Sequence, residues 1–141
     1  MDIVPTEGAI LGFTSRWARV AMDAPARYAL PSGTSIRLVA APVFLLMKLE
    51  AFASRGEGDF AASHDLEDVV AVVDGRASLL AEVAASPATV RAAVRDEIAR
   101  LLAERAFTDA LPGHLPGDSG SQARLGRVRA TLDQLAQPQA T

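Results

Sequence analysis

Residues 42–75 read PVFLLMKLEAFASRGEGDFAASHDLEDVVAVVDG, and this stretch decides the fold of the chain. Its first half predicts a helix, because Pro42 suits a first helical turn. Leu45, Leu49 and Phe52 then recur at the i, i+4, i+7 spacing of one buried stripe. Glycines interrupt the pattern before a second helical segment begins. We therefore expect a helical hairpin.

The second helix of this hairpin has a clear start signal at Ser63, a residue type that caps helix N-termini. Carboxylates follow in its first turns, where they complement the positive end of the helix dipole. Asp65 and Asp68, at i and i+3, are expected to point together away from the buried face. Gly75 is expected to be the residue just beyond the last helical one. The buried face itself should consist of Leu66, Val69, Val70 and Val73.

Two cations of the hairpin, Lys48 and Arg55, lie off the buried stripe and share one face, with stems about 10 Å apart. Two cations at this spacing could bind two phosphate groups. Alternatively, Lys48 extends its amine from an apolar helix to the surface, and Arg55 compensates the dipole at a helix C-terminus. Asp65 and Asp68 either serve as N-terminal helix carboxylates or pair with Lys48 across the hairpin.

The histidines offer weaker signals. His64 and Asp68, at i, i+4, are two possible metal ligands, but no third ligand follows nearby, so a local hydrogen bond is favoured. His114 lies in a loop rich in proline and glycine and is expected to be exposed. Asp59 is expected to be a turn residue.

Composition bounds the function. The 141 residues suit a single domain, and with 50% apolar residues they can bury a core. The net charge of −3 excludes a global attraction to nucleic acid, so any such contact has to be local. There is no cysteine, and no stretch reaches the about 18 uncharged residues of a membrane span. We expect a cytoplasmic protein without a membrane partner.

The segments around the hairpin predict a predominantly helical α+β fold. Residues 1–41 should hold short strands and one helix: a strand end at Asp2–Pro5, a helix capped by Ser15 and running to Met22, and a strand pair turning at residues 31–34. Residues 77–137 should hold the C-terminal helices.

In this C-terminal part, residues 77–84 predict a short helix, and Pro87 should open the longest helix, capped by Ser86 and ending near Phe107. Residues 111–121 are expected to form a loop. The last helix starts near Gln122, and its apolar residues suit packing on the core or on another copy of the chain. Those residues are Leu125, Val128, Leu132 and Leu135.

The hairpin sequence resembles the downstream half of nucleotidyltransferase-like proteins of the AbiEii/AbiGii toxin group, relatives of the minimal nucleotidyltransferases. In that group a helical lysine is followed by an arginine and then by Asp-x-x-Asp at the start of the next helix. Lys48, Arg55, Asp65 and Asp68 match this order. The opening DIVPTEGAILGFTSRW resembles the segment that begins with the group's third acidic active-site residue, here Asp2.

The resemblance implies transfer of a nucleoside monophosphate from an NTP to an RNA or protein acceptor, with magnesium. Asp2 would be a catalytic metal ligand. Lys48 would be catalytic and, with Arg55, would contact phosphates. Asp65 and Asp68 would orient the lysine or the acceptor, and His64 would belong to the same substrate-binding site. The family also has an upstream Gly-Gly or Gly-Ser turn followed by an Asp-x-Asp pair, and this sequence contains no such combined pattern.

Two functional hypotheses follow from this departure. In the first, the chain is the C-terminal part or a remnant of a nucleotidyltransferase-like protein and is inactive by itself. Its partners would be an NTP, RNA, a cognate antitoxin, the missing N-terminal half or a second copy of the chain. In the second, the chain is a non-catalytic binding module that uses the Lys48 and Arg55 patch to hold a phosphate or a partner.

Overall fold

The computed structural model describes residues 15–55 and 58–138. In chain order its elements are α1 (Arg16–Asp23), β1 (Ala26–Ala29), β2 (Ser35–Leu38), α2 (Ala41–Arg55), α3 (His64–Gly75), α4 (Leu79–Ala85), α5 (Ala88–Ala103), α6 (Arg105–Ala110), a 3-10 turn (Leu111–His114), α7 (Ser119–Ala123) and α8 (Leu125–Leu135). The predicted class, α+β and predominantly helical, is confirmed. The strand end expected at Asp2–Pro5 lies outside the described residues.

The first helix begins where the sequence predicts. The Ser15 hydroxyl accepts a hydrogen bond from the Ala18 N–H at 3.1 Å, which satisfies one of the free N–H groups of the first turn. The same hydroxyl donates to Glu50 on α2 at 2.6 Å. Trp17 is buried on the inner side of α1. The cap therefore starts α1 and also ties it to the central helix.

The strands β1 and β2 form an antiparallel pair, as predicted. The turn between them is closed by hydrogen bonds from Leu30 N–H to Thr34 C=O at 2.8 Å and from Gly33 N–H to Leu30 C=O at 2.9 Å. Gly33 has φ +82°, a left-handed conformation that glycine adopts without steric cost. Most side chains of both strands are exposed.

The helices α2 and α3 form the expected hairpin, and α2 also packs against α1, α4 and α5. Leu45 and Leu49 of α2 are buried, with Phe52 partly buried. Leu66, Val69, Val70 and Val73 of α3 are buried as predicted. Gly75 is the last residue inside α3, so its predicted place one residue beyond the helix is wrong. Arg76 ends the helix with extended backbone, and its N–H bonds to the Val72 carbonyl.

In the C-terminal part, the helices begin and end at other residues than the sequence predicts. The longest described helix, α5, ends at Ala103 instead of Phe107, because Glu104 has extended backbone and α6 starts after it. This break lets Phe107 become completely buried. The N-cap of α5 is Pro87 instead of Ser86. The segment 111–121 is not a plain loop, since it contains the 3-10 turn and the start of α7.

The last helix, α8, packs on the core of the same chain. Its residues Val128, Leu132 and Leu135 have no exposed surface. The helix contacts α3, α4 and α5. Of the two expectations for this helix, packing on the core is the one observed.

Asp74, near the end of α3, fastens that helix to α8. Nε of Arg124 lies 3.0 Å from both carboxylate oxygens, and Nη2 of Arg127 lies 2.8 Å from one of them. The Asp74 side chain is only 13% exposed. Burial raises the pKa of Asp74, but the hydrogen bonds and charges of Arg127 and Arg124 outweigh burial and hold that pKa below its ordinary value.

We predict that Asp74→Asn lowers the free energy of unfolding by about 1 kcal/mol at neutral pH, since both arginines are partly exposed and screened. Because the folded-state pKa lies below the unfolded value near 3.8, this contribution is present above that pH and is lost as the pH falls through the folded-state pKa. Urea unfolding of both proteins across the acidic range measures it.

The matched control for this experiment is Asp133→Asn, which removes an exposed carboxylate paired only with Arg129 within α8 among the described residues. We expect a much smaller change for the control. Equal losses in the two variants, or an Asp74→Asn difference that persists at the most acidic pH, would contradict the assignment.

Candidate functional site

Lys48 lies in the middle of α2 and is the only lysine among the 14 lysines and arginines of the sequence. Its neighbours along the helix are mostly apolar, and α3 begins opposite it. Lysine presents a compact ammonium with three donors, whereas arginine presents a planar fork. The only lysine of the sequence thus places a compact positive charge opposite the start of α3, where two acids lie.

Those acids are Asp65 and Asp68, in the first turns of α3. Nζ of Lys48 lies 3.3 Å from Oδ1 of Asp65 and 2.6 Å from Oδ2 of Asp68. It also lies 5.7 Å from the centre of the Phe44 ring. We call Lys48, Asp65 and Asp68 the lysine triad. The sequence left open whether these acids only complement the helix N-terminus or pair with Lys48 across the hairpin. The structure shows the pairing.

The two acids of the lysine triad differ in exposure. The Asp65 side chain is 11% exposed and that of Asp68 is 47% exposed. The expectation that both point away from the buried face is therefore wrong for Asp65. The reason is the partner: the Lys48 amine meets the Asp65 carboxylate at the helix interface and offsets part of the cost of burying that charge there.

The environment keeps Lys48 positively charged. Burial lowers the pKa of Lys48, but the hydrogen bonds and charges of Asp68 and Asp65 outweigh burial, so the pKa lies above its ordinary value. The amine is therefore poorly suited to act as a base or nucleophile at neutral pH. It is suited to electrostatic stabilisation of a negative group.

The lysine triad has room for one further acceptor. The Lys48 side chain is 26% exposed. An ammonium has three donor hydrogens, and two of them meet the carboxylates. A phosphate or carboxylate oxygen arriving from solvent can take the third. The two acids leave the triad with a net charge of −1. This net charge weakens the attraction of the triad for an anion, unless the anion brings a bound cation with it.

The loop before α3 is held in place by His114, which the sequence interpretation expected to be exposed. That expectation is wrong: His114 is only 9% exposed, and its Nε2 lies 2.7 Å from the carbonyl oxygen of Phe60. Within the same loop, the Asp59 carboxylate accepts from the N–H groups of Ala61 and Ala62, as expected of a turn residue. No local signal marked His114, because its partner is 54 residues away.

The remaining candidate residues do not join the triad in the described structure. His64 faces solvent, and its Nδ1 lies 3.1 Å from the Glu67 carboxylate. This contact is the local hydrogen bond that the sequence favoured, although its partner is Glu67 instead of Asp68. Asp2 and the side chain of Arg55 lie outside the part of the chain that the structure describes. Across residues 15–55 and 58–138, no group of three side chains is arranged to hold a metal ion.

No family model, curated protein or solved structure matches the chain. Within the described residues, no helix is both long enough and apolar enough to cross a membrane.

The single lysine makes the triad directly testable by amine acetylation, with the α-amino group as an internal reference. Asp68→Asn removes the nearer carboxylate, so the pKa of Lys48 should fall and the fraction of free amine should rise. We expect acetylation of Lys48 to become about two to ten times faster relative to the α-amino group, since one pKa unit changes that fraction tenfold. Peptide mass spectrometry measures both sites.

The control is Glu67→Gln, which removes a neighbouring carboxylate that contacts His64 instead of Lys48. We expect no change in the Lys48 rate for this variant. An unchanged rate in Asp68→Asn would show that the carboxylate does not control the lysine.

Proposed function

We propose that this chain is a nucleotidyltransferase-like protein in which Lys48 contacts the phosphates of a nucleoside triphosphate. The observation that supports this proposal is an ammonium held between two carboxylates at the start of a helix. Catalysis of nucleotidyl transfer depends largely on positioning and on electrostatic stabilisation of the phosphates. A lysine that stays protonated and keeps one orientation is suited to that task.

Within this proposal the two carboxylates have different roles. Asp65, which is largely buried, orients the Lys48 ammonium and fixes it relative to α3. Asp68 is more exposed and lies closer to the amine. It therefore controls how strongly the lysine attracts an anion and is the acid that faces an incoming substrate. Arg55 would supply a second phosphate contact two helical turns further along α2.

The proposed reaction also requires magnesium, which neutralises charge on the transferring group. The described residues do not fit a magnesium site, because they contain no group of three metal-binding side chains, and Asp65 and Asp68 both contact Lys48. The family resemblance assigns the metal to Asp2 and an Asp-x-Asp pair, a pattern that these 141 residues do not contain.

A non-catalytic binding module is the second candidate function. The observation that favours it is the net charge of the lysine triad, because two carboxylates offset the charge of Lys48. In this role the triad would stabilise the hairpin, and a partner would bind at its exposed edge near Asp68. For either function we place the protein in the cytoplasm, since a chain without cysteine suits a reducing compartment.

An acyl-phosphate derivative of ATP or GTP tests the proposed phosphate contact. Its carbonyl carbon sits next to the terminal phosphate, so the small free-amine fraction of a lysine held there attacks that carbon. The new N–C bond forms, the NTP leaves with the C–O electrons, and the nitrogen loses its proton to water. We expect acylation of Lys48 that excess NTP suppresses at least about tenfold, whereas labelling of the α-amino group stays unchanged. Mass spectrometry of the Lys48 peptide measures the effect.

The control variant is Arg105→Met, which removes an exposed cation far along the chain and should leave labelling of Lys48 intact. Labelling of Lys48 that excess NTP does not suppress would contradict the phosphate contact and would favour the binding module.

A separate prediction concerns catalysis by the 141-residue chain alone. Because the sequence contains no Asp-x-Asp pair, we expect no transfer of radioactive nucleotide to tRNA or to the protein itself in magnesium. Gel electrophoresis with autoradiography measures the transfer. Labelling that Asp2→Ala abolishes would contradict this prediction, because it would show that one aspartate suffices.

A further inference from the structure

Residues 15–40 carry an excess of positive charge within this acidic protein. The chain has a net charge of −3. Residues 15–40 nevertheless contain the arginines Arg16, Arg19, Arg27 and Arg37 against a single acid, Asp23. This segment comprises α1 and the β1–β2 hairpin. Any contact with an anionic polymer, which the overall charge opposes, has its best local site here.

The strand register places two of these arginines directly opposite each other. Arg27 on β1 pairs with Arg37 on β2, and both are exposed. Successive side chains of a strand alternate between faces. The hairpin therefore has an arginine face, which we define by Arg27 and Arg37. Its opposite face bears Tyr28, Ile36 and Leu38.

The two arginines belong to the closer type of cross-strand pair. Leu30 and Thr34, at the turn, form a hydrogen-bonded cross-strand pair, because the Leu30 N–H donates to the Thr34 carbonyl. Along the two strands, hydrogen-bonded and non-hydrogen-bonded pairs alternate. Arg27 and Arg37 are three pairs further along, so they form a non-hydrogen-bonded pair with Cα atoms about 4.5 Å apart. Like charges directly opposite each other destabilise a strand pair.

Nothing in the described part of the chain offsets this repulsion. Among the described residues, neither arginine forms an ion pair with an acid. In contrast, most arginines of the C-terminal helices do, for example Arg100 with Glu97 and Arg124 with Asp74. An anion bound across both guanidinium groups would remove the repulsion.

We propose that the arginine face binds the phosphodiester backbone of a nucleic-acid strand. Guanidinium groups match phosphate oxygens with two parallel hydrogen bonds. Two of them side by side suit consecutive phosphates of one strand better than a single small anion. Arg37 also borders a groove lined by Met22, Pro25 and Val39, which offers apolar surface beside the phosphate contacts. This inference stands independently of the proposed nucleotidyl transfer.

Fluorescence anisotropy with labelled single strands tests the proposal, using RNA and DNA 20-mers of one mixed sequence without NTP or magnesium. Arg27→Glu removes one cation and pairs the other with the introduced carboxylate, so two phosphate contacts should be lost. We expect at least about tenfold weaker binding at low salt. The slope of log K against log salt should become less negative by about 1.4, because each contact contributes about 0.7 for single strands.

Two controls separate binding from stability and from overall charge. Opposite charges across the strands favour pairing, so the thermal midpoint of Arg27→Glu should equal or exceed that of the wild type. Arg105→Glu makes the same charge change on a side chain of α6 that is 92% exposed, and it should bind the strands like the wild type. The double variant Arg27→Ala, Arg37→Ala should reproduce the loss without introducing a carboxylate.

The outcomes decide the proposal. Equal binding of RNA and DNA, lost in Arg27→Glu and kept in Arg105→Glu, supports backbone recognition in general, and the same pattern for RNA alone supports an RNA backbone. Equal losses in both variants would overturn the proposal by showing a general charge effect. Absence of binding by the wild type would also overturn it, as would binding of polyglutamate but not of either strand, which would point to an acidic protein partner.

Discussion

The structure depends on the packing of α2 against α3, with a charged group placed between two apolar surfaces. Leu45 and Val69 belong to these surfaces, and neither has exposed area. Burial of apolar area, at about 25 cal/mol per Å², is the main driving force of such packing. The contacts of Lys48 with Asp65 and Asp68 add less energy, because Asp68 is half exposed. Their effect is on register: sliding α3 along α2 by one turn would leave a charge buried without its partner.

The start of α3 is fixed by residues far from it in the chain. His114 holds the carbonyl oxygen of Phe60, Asp59 closes the turn, and Ser63 caps the helix. The other end of α3 is held to α8 through Asp74. Because both ends are fastened, the acids of the lysine triad meet α2 in one position. A charged site is effective only when such supporting contacts hold its groups in place.

The net charge of the sequence hides a separation of charges in the folded molecule. The lysine triad carries more negative than positive charge, whereas the arginine face has no acid paired with it in the described part of the chain. Two surfaces of different net charge therefore coexist, and a phosphate group meets opposing carboxylates at the lysine triad but not at the arginine face within the described residues. Both proposed ligands carry phosphate, so the arginine face would attract its ligand by net charge, whereas Lys48 would have to contact an NTP by direct hydrogen bonding beside its two acids.

The sequence alone determined the helical hairpin, the caps at Ser15 and Ser63 and the β-turn around Gly33, because these depend on local patterns and on the conformations open to single residues. It also indicated Lys48 and its two possible acids. Only the tertiary structure decided that Asp65 is buried against the lysine, that α5 ends at Ala103 and that His114 lies inside. These features arise from contacts between distant segments, where the burial of a side chain depends on which partner the fold brings to it.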